Sequence, residues 1–77
     1  MSIEKYIGEQ MYCRRLVIAM AIADITITEL AAEAGVNRSS IYHYRIGEAD
    51  PRPDIREKIA DVIGERVPML RRFLEEI

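Results

Sequence analysis

Apolar positions along the chain recur at helical spacing, and no stretch alternates polar and apolar residues as a half-buried strand does. One segment shows an i, i+4, i+7, i+8 apolar stripe made of Ile55, Ile59, Val62 and Ile63. Similar patterns, separated by turn residues, predict helices at about 9–23, 27–34, 38–46, 53–63 and 68–77. A weaker helical pattern near the start predicts that residues 1–8 are an N-terminal extension.

Capping residues indicate where these helices begin and end. Thr26 and Glu29 have the T-x-x-E spacing of a capping box at the start of the second helix. Asn37 is placed as the N-cap of the third helix. Glycines are expected to end the second, third and fourth helices, in the order Gly35, Gly47 and Gly64.

The pattern therefore predicts an all-α fold, a compact four- to five-helix domain with a central helix-turn-helix. The 77 residues are enough for a single domain, 1–77, with residues 68–77 as its C-terminal helix. With 49% hydrophobic and 31% charged residues, the composition is that of a globular chain. The single cysteine, Cys13, cannot form an internal disulfide, and no spacing of His and Cys suggests a metal site. We expect no metal and no cofactor.

Residues 27–46 form the most informative unit, a short helix, a three-residue turn and a second short helix. Two helices cross at a steep angle only when small residues occupy their contact, and Ala31 is placed there, with Gly35 in the turn. The apolar residues expected to be buried between the two helices are Leu30, Ala34, Val36, Ile41 and Tyr44. This pattern predicts a helix-turn-helix motif.

The helical period then sets the outward side of the second helix of the motif: Arg38, Ser39, Tyr42, His43 and, near the end, Ile46. Such a helix enters the major groove of DNA with its N-terminal residues nearest the bases. Arg38 can donate two hydrogen bonds to guanine O6 and N7, and Ser39 can reach a base edge or a phosphate. Tyr42 can touch a sugar or a thymine methyl, and His43 can donate to a base or a phosphate. We therefore expect these first four residues to read bases.

Phosphate contacts are expected at both ends of the same helix. Asn37 and the backbone amides at the helix start can hold a phosphate, and Arg45 lies near the helix end, where it contacts the DNA backbone or pairs with an acid. Residues 37–47 carry two basic and no acidic side chains, whereas the whole chain has a net charge of −2. Residues 37–47 are thus a locally positive region of a mildly acidic protein.

At these residues the chain resembles a known family, the lambda-repressor/Cro-like (Xre-type) helix-turn-helix domains, and particularly the small phage and prophage regulators. The resemblance is carried by TITELAAEAGVNRSSIYHY, RIGEADPRP and IREKIADVIGERVPML, and it covers about residues 14–70. It implies a domain that binds an operator in double-stranded DNA, usually as a dimer on two half-sites. It also implies base contacts from Arg38, Ser39 and His43, and phosphate contacts from Thr26, Thr28 and the loop after the third helix.

Two sets of apolar residues exceed what one core face holds, and both are candidates for a homodimer interface. The first includes Val17 and Ile22 on the first long helix. The second is the stripe of the C-terminal helix: Met69, Leu70, Phe73, Leu74 and Ile77. The alternative for the first set is that Ile3, Tyr6 and Ile7 fold back over it. Symmetric pairing would also hold two recognition helices at a fixed spacing.

Arginines outside the motif have competing interpretations. Arg14 and Arg15 are expected either to pair with Glu29 or Glu33 at the surface or to approach phosphates, and the sequence leaves both open. Near the C-terminus, arginines and glutamates at i, i+4 spacing predict a solvated, ion-paired helix face.

We expect a sequence-specific DNA-binding transcriptional regulator, a repressor or Cro-like switch protein of phage or prophage origin, acting at the nucleoid in the cytoplasm of a bacterial host. The alternative is a protein-interaction module on a helix-turn-helix scaffold, antirepressor or antitoxin-like, which the acidic balance and surplus apolar surface favour. An enzyme is not expected, because no nucleophile is paired with a base.

The apolar run 16–23 is too short to span a membrane. No small-molecule ligand is expected.

Overall fold

The structure, a computed structural model, describes the backbone of residues 3–75 and the side chains of residues 12–75. Its helices in chain order are α1 (Ile3–Ala23), α2 (Ile27–Ala34), α3 (Arg38–Ile46), α4 (Pro53–Arg66) and α5 (Met69–Glu75). The described backbone contains no strand. The predicted all-α architecture of four to five helices is therefore confirmed.

Helix α1 is longer than the pattern indicates, because it begins at Ile3 and continues without a break to Ala23. Residues 3–8 are thus the first part of this helix, and the alternative in which Ile3, Tyr6 and Ile7 fold back over its second half is wrong. The side chains of Ile3, Tyr6 and Ile7 lie outside the described residues. The helix ends at Asp24, whose φ of 53° is left-handed and stops the helical hydrogen-bond pattern.

One face of every helix contributes to a single apolar core. The core residues of α1 repeat at helical spacing: Tyr12, Leu16, Ala19, Met20 and Ala23. Leu30 of α2, Ile41 of α3, and Ile59 and Ile63 of α4 are fully buried against them. Each such side chain stabilises the fold by about 1.5–3 kcal/mol relative to an exposed one. The inward stripes predicted for α2, α3 and α4 are confirmed.

The helix-turn-helix is held together by local caps. The Thr26 hydroxyl accepts a hydrogen bond from the Glu29 backbone N–H (3.1 Å), and the Thr26 N–H donates to Glu29 Oε1 (3.0 Å). Gly35 has a φ of 70° and donates its N–H to the Ala31 carbonyl, which ends α2. Ala31 itself is buried. The predicted capping box and turn glycine are confirmed.

Gly64 does not end α4 as predicted. The helix continues to Arg66 and stops at Val67, just before Pro68, because the residue preceding a proline disfavours the helical conformation. A Cβ atom added at Gly64 would lie 3.0 Å from the Cβ of Arg71 on α5. The glycine therefore lets α5 approach α4 closely, which is a packing role that turn statistics do not reveal.

Arg15 and Arg66 have partners that the sequence did not indicate. Arg66 of α4 donates to Glu33 (2.7 Å) and lies 3.6 Å from Glu29. Arg15 instead donates to the Phe73 carbonyl oxygen (2.8 Å), with its guanidinium 4.6 Å from the centre of the Phe73 ring. Of the two alternatives left open for Arg15, the pairing with the α2 glutamates is therefore wrong, since Arg66 occupies that place.

The ion-paired face predicted near the C-terminus is present on α5, where Arg71 lies 3.4 Å from Glu75 and also pairs with Asp61 of α4. Among the described residues, no helix combines the length and the apolar composition that crossing a membrane requires. The described residues also contain no group of three or more His, Cys, Asp or Glu side chains that could hold a metal ion.

Candidate nucleic-acid interface

Helix α3 has one buried side and one exposed side. Ile41 is fully buried and Tyr44 packs half-buried against the core. The residues predicted to face outward are all exposed, Tyr42 by 52% and Ile46 by 46%. We refer to Arg38, Ser39, Tyr42 and His43 as the α3 outer face. The structure places all four on the same open side of the helix, as the period predicted.

The start of α3 presents an unusual cap. Asn37 occupies the N-cap position with extended backbone angles, and its carbonyl accepts from the Ile41 N–H (3.2 Å). Its side chain makes no capping hydrogen bond. The exposed amide of Asn37 and the backbone N–H groups of the first turn therefore lie together at the positive end of the helix dipole, where an anion is stabilised. The predicted N-cap position is confirmed, but the side chain does not perform the capping.

Arg38 is the exposed cation nearest to this end of α3. Within the described part of the chain, no acidic side chain forms an ion pair with it. The first turn of α3 contains no acidic residue. Arg38 therefore presents its guanidinium donors to the solvent, in the position from which a recognition helix contacts bases.

The aromatic part of the α3 outer face is less simple. The rings of Tyr42 and His43 lie 5.7 Å apart at an angle of 58°. His43 Nε2 lies 3.7 Å from a carboxylate oxygen of Glu48, and both side chains are about half exposed. The Glu48 carboxylate thus lies beside the region, residues 37–47, that was predicted to be locally positive.

Sequence reasoning missed Glu48 because it follows the helix. Gly47 ends α3 with a φ of 80°, and the Glu48 N–H donates back to the His43 carbonyl oxygen (3.0 Å). This C-cap turns the chain back, so that the Glu48 side chain reaches the imidazole. The signal was present in the sequence, since a glycine C-cap fixes the position of the residue that follows it.

The other predicted phosphate contacts lie in different environments. Thr26 and Thr28 are both exposed at the start of α2. The Thr26 hydroxyl is engaged in the capping box, where it accepts the Glu29 backbone N–H. Arg45 is half-buried and borders a groove between α1 and α3, together with Arg14 and Ile46. It therefore lies at the opposite end of α3 from Asn37.

The predicted dimer candidates divide into two groups. Val17, Ile22 and Met69 are exposed by 37%, 57% and 74%. Leu70 and Leu74 are buried in the core of the same chain, and Phe73 is partly covered by Arg15. Only the first group is open to a second molecule, and Ile77 lies outside the described residues.

The fold and the α3 outer face define a helix-turn-helix protein whose second motif helix is open to solvent. A family model described as helix-turn-helix, of the Xre/lambda-repressor-like type, matches residues 20–70. The chain belongs to this family and is a DNA-binding regulator of that type. No curated protein and no solved structure matches the chain.

Proposed function

We propose that the protein is a sequence-specific transcriptional regulator that inserts α3 into the major groove of an operator. The observation that carries the proposal is the exposed N-terminal half of α3, with the cation Arg38 beside the open amides of the first turn. A positive charge is attracted to the phosphates of the DNA backbone. The guanidinium N–H groups of an arginine can also donate hydrogen bonds to base edges. The net charge of −2 does not oppose this, because every acidic side chain lies outside residues 37–47.

Base recognition is assigned by position along α3. Arg38 and Ser39 stand in the first turn and enter the groove most deeply. Tyr42 and His43 stand one turn later on the same side, where they reach the next bases or the thymine methyl groups. An arginine that bonds both O6 and N7 discriminates guanine by about 1–3 kcal/mol, so Arg38 supplies the largest share of specificity.

Phosphate contacts fix the helix in the groove. The Asn37 amide and the first-turn N–H groups are assigned to one phosphate, and the exposed hydroxyls of Thr26 and Thr28 to the same strand nearby. Arg45 is assigned to the backbone at the far end of the helix. These contacts bind any sequence and make the affinity depend strongly on salt.

In regulation, we propose a repressor or Cro-like switch protein of phage or prophage origin. The support is the resemblance of the motif and its following loop to the small regulators of that kind. A domain bound over an operator prevents access of other proteins to the same DNA, which is the simplest means of repression. The regulator is expected to act on DNA in a bacterial host.

Selection of bound sites from a random DNA pool tests the proposal. We expect a defined motif, enriched in a base pair that Arg38 recognises, and arranged as two symmetric half-sites. Selection with an Arg38→Ala variant should lose preference at that position while the rest of the motif persists. A pool that shows no enrichment in repeated rounds at low salt would contradict sequence-specific binding.

The second candidate is a protein-interaction module on the same scaffold, favoured by the exposed apolar residues Val17, Ile18 and Ile22. It requires these α1 residues to bind a different protein. No DNA retained at low salt, combined with a stable complex with a different protein that Ile22→Glu disrupts, would decide for this candidate.

A further inference from the structure

We propose that a second copy of this chain docks on the outward side of α1, with the two α1 helices packed antiparallel about a two-fold axis. The contact surface is the α1 outer stripe, defined as Val17, Ile18, Ala21 and Ile22. The inference rests on the proposed function, since it specifies how two DNA-binding units would be joined. It also chooses between the two apolar sets that the sequence left open.

Helix α1 is apolar on two opposite sides. Its inner side is occupied, because Leu16, Ala19 and Met20 are buried in the core. Its outer side is open, with Ile18 exposed by 47% and Ile22 by 57%. Residues 16–23 contain no charged side chain at all. A helical segment that is apolar around its circumference is normally buried on both sides, so residues 16–23 favour a second apolar partner.

The apolar surface continues beyond α1. Val17 and Ile18 border a groove whose other wall is formed by Arg45 and Ile46 at the end of α3. Ile46 is itself exposed by 46%. The open patch thus runs from the outer stripe to the last turn of α3, which gives a partner more area than four side chains alone.

The outer stripe is complementary to itself in one register. With the two-fold axis between Ala19 and Met20, Ile18 of each copy faces Ala21 of the other. The small alanine provides the space that a large side chain fills, as in other close helix pairs. Val17 of each copy and Ile22 of the other then lie at the same level, on the two edges of the stripe, where they flank the central pair. Self-complementarity of this kind is what a two-fold interface requires.

Charge at the ends of the stripe favours the antiparallel arrangement. Arg14 lies at one end and Asp24 at the other, and both are exposed. In the antiparallel register, Arg14 of each copy lies about 1.5 Å along the helix axis from the level of Asp24 of the other, within reach of its long side chain. A parallel pair would bring like charges together at both ends. These charges therefore indicate a second copy of this chain as the occupant of the stripe.

Helix α5 is a weaker candidate because its apolar side chains are already used. Leu70 and Leu74 are each exposed by only 3%, and the Phe73 ring is covered by Arg15. Among the large hydrophobic residues described on α5, this leaves Met69 alone strongly exposed. A single methionine cannot form an interface core of the size that stable dimers have.

Sedimentation of the full chain without DNA tests the interface. Wild type should form a dimer, and Ile18→Glu should weaken self-association by at least about tenfold, because each interface would then contain two desolvated carboxylates. Met69→Glu is the matched control and should leave the dimer intact. Circular dichroism verifies that both variants keep their helices. A monomeric wild type, or a dimer that only Met69→Glu disrupts, would overturn the proposal.

Mixing two variants tests the register. In the antiparallel pair, the carboxylate introduced by Ile18→Glu faces the ammonium group introduced by Ala21→Lys on the other copy. The mixed pair should therefore associate more tightly than Ile18→Glu alone. A mixture that associates no better than the separate variants would exclude this register and overturn the arrangement.

Half-site DNA separates this inference from the proposed function. Monomeric Ile18→Glu should still bind a single half-site in a manner that depends on Arg38. If wild type fails to dimerise but Arg38 still determines half-site affinity, the α1 interface is wrong and the proposed function stands. If the dimer forms but Arg38→Ala leaves DNA affinity unchanged, the interface stands and the proposed function is wrong.

Discussion

Two arginine-bearing surfaces of the molecule differ in what surrounds the cation. At the α2–α4 seam, defined as Thr26, Glu29, Glu33 and Arg66, the guanidinium of Arg66 pairs with two carboxylates. On the α3 outer face, no described acidic group pairs with Arg38. The same side-chain type therefore serves as a structural link in one place and as an available donor in the other. Availability, more than the number of positive charges, distinguishes a binding surface on an acidic protein.

The α2–α4 seam also shows how local and tertiary contacts combine. Glu29 accepts a hydrogen bond from the Thr26 N–H and, in addition, lies 3.6 Å from Arg66. The hydrogen bond that the Thr26 backbone N–H donates to the carboxylate is the largest cause that lowers the pKa of Glu29. The interaction of this carboxylate with the Thr26 side chain comes next, and Arg66 contributes less. The seam stabilises the fold. Its arginine also neutralises the charges of Glu29 and Glu33 on α2, the first helix of the helix-turn-helix motif.

The largest expected effect concerns Arg38. Arg38→Ala should weaken binding to the selected operator by about 1–3 kcal/mol, roughly five- to 150-fold, because a bidentate base contact is lost. Thermal stability should not change. Gel-shift titration on operator and random DNA provides the measurement. Arg66→Ala is the matched control and should leave operator preference intact; equal losses for both variants, or equal losses on both DNAs, would erase the distinction between the two surfaces.

The capping box should give the next largest effect. Thr26→Ala removes the hydroxyl that accepts the Glu29 N–H and should lower the free energy of unfolding by about 0.5–2 kcal/mol. Urea unfolding followed by circular dichroism measures this. Thr28→Ala is the control, since Thr28 is exposed and lies within the first turn, not at the cap. Similar losses for both variants would show that the cap is not the source of the stability.

A smaller effect is expected at Glu48, whose carboxylate lies beside His43 of the α3 outer face. Glu48→Gln removes a negative charge 3.7 Å from His43 and should tighten DNA binding severalfold, by less than about 1 kcal/mol, because both side chains are solvated. The gain should shrink as salt rises. Glu65→Gln on α4 removes the same charge away from α3 and should have less effect. Weaker binding by Glu48→Gln would instead mean that this carboxylate orients the imidazole or contacts the DNA itself.

The smallest effect is the contribution of Glu29 to acid stability. Its pKa is lowered in the folded state from the ordinary value of 4.5, so the stabilisation is fully present above that value. It is lost as the pH falls through the lowered folded-state pKa. Glu29→Gln should therefore flatten the dependence of stability on pH below about 4.5. The slope of stability against pH near neutrality should not change. Thermal unfolding across the acid range measures both. An unchanged acid slope would assign the effect to other carboxylates.

Much of the candidate site was predictable because its determinants are local. The caps at Thr26 and Gly35 and the period that turns Arg38 and His43 outward depend on residues three to four positions apart. Burial of Ile41 then fixes the opposite side of the same helix. Interactions of this range are written in the order of the residues, so the helix-turn-helix and its open face follow from the sequence.

The errors have a common origin in contacts between distant residues. Arg66 lies 33 positions from Glu33, and Arg15 lies 58 positions from the carbonyl of Phe73. Long flexible side chains pair with whatever the fold brings near, so no spacing rule predicted these partners. The role of Gly64 likewise depends on where α5 crosses α4.

The sequence by itself determined α2, α3 and the start of α4, the caps of the motif and the outward side of α3, since each depends on neighbours within about one helical turn. The tertiary structure alone decided which apolar residues remain outside. Leu70 and Leu74 enter the core, whereas Ile18 and Ile22 stay exposed. A helix with apolar residues all around can bury either side, and only the packing of the other helices selects the one that is covered.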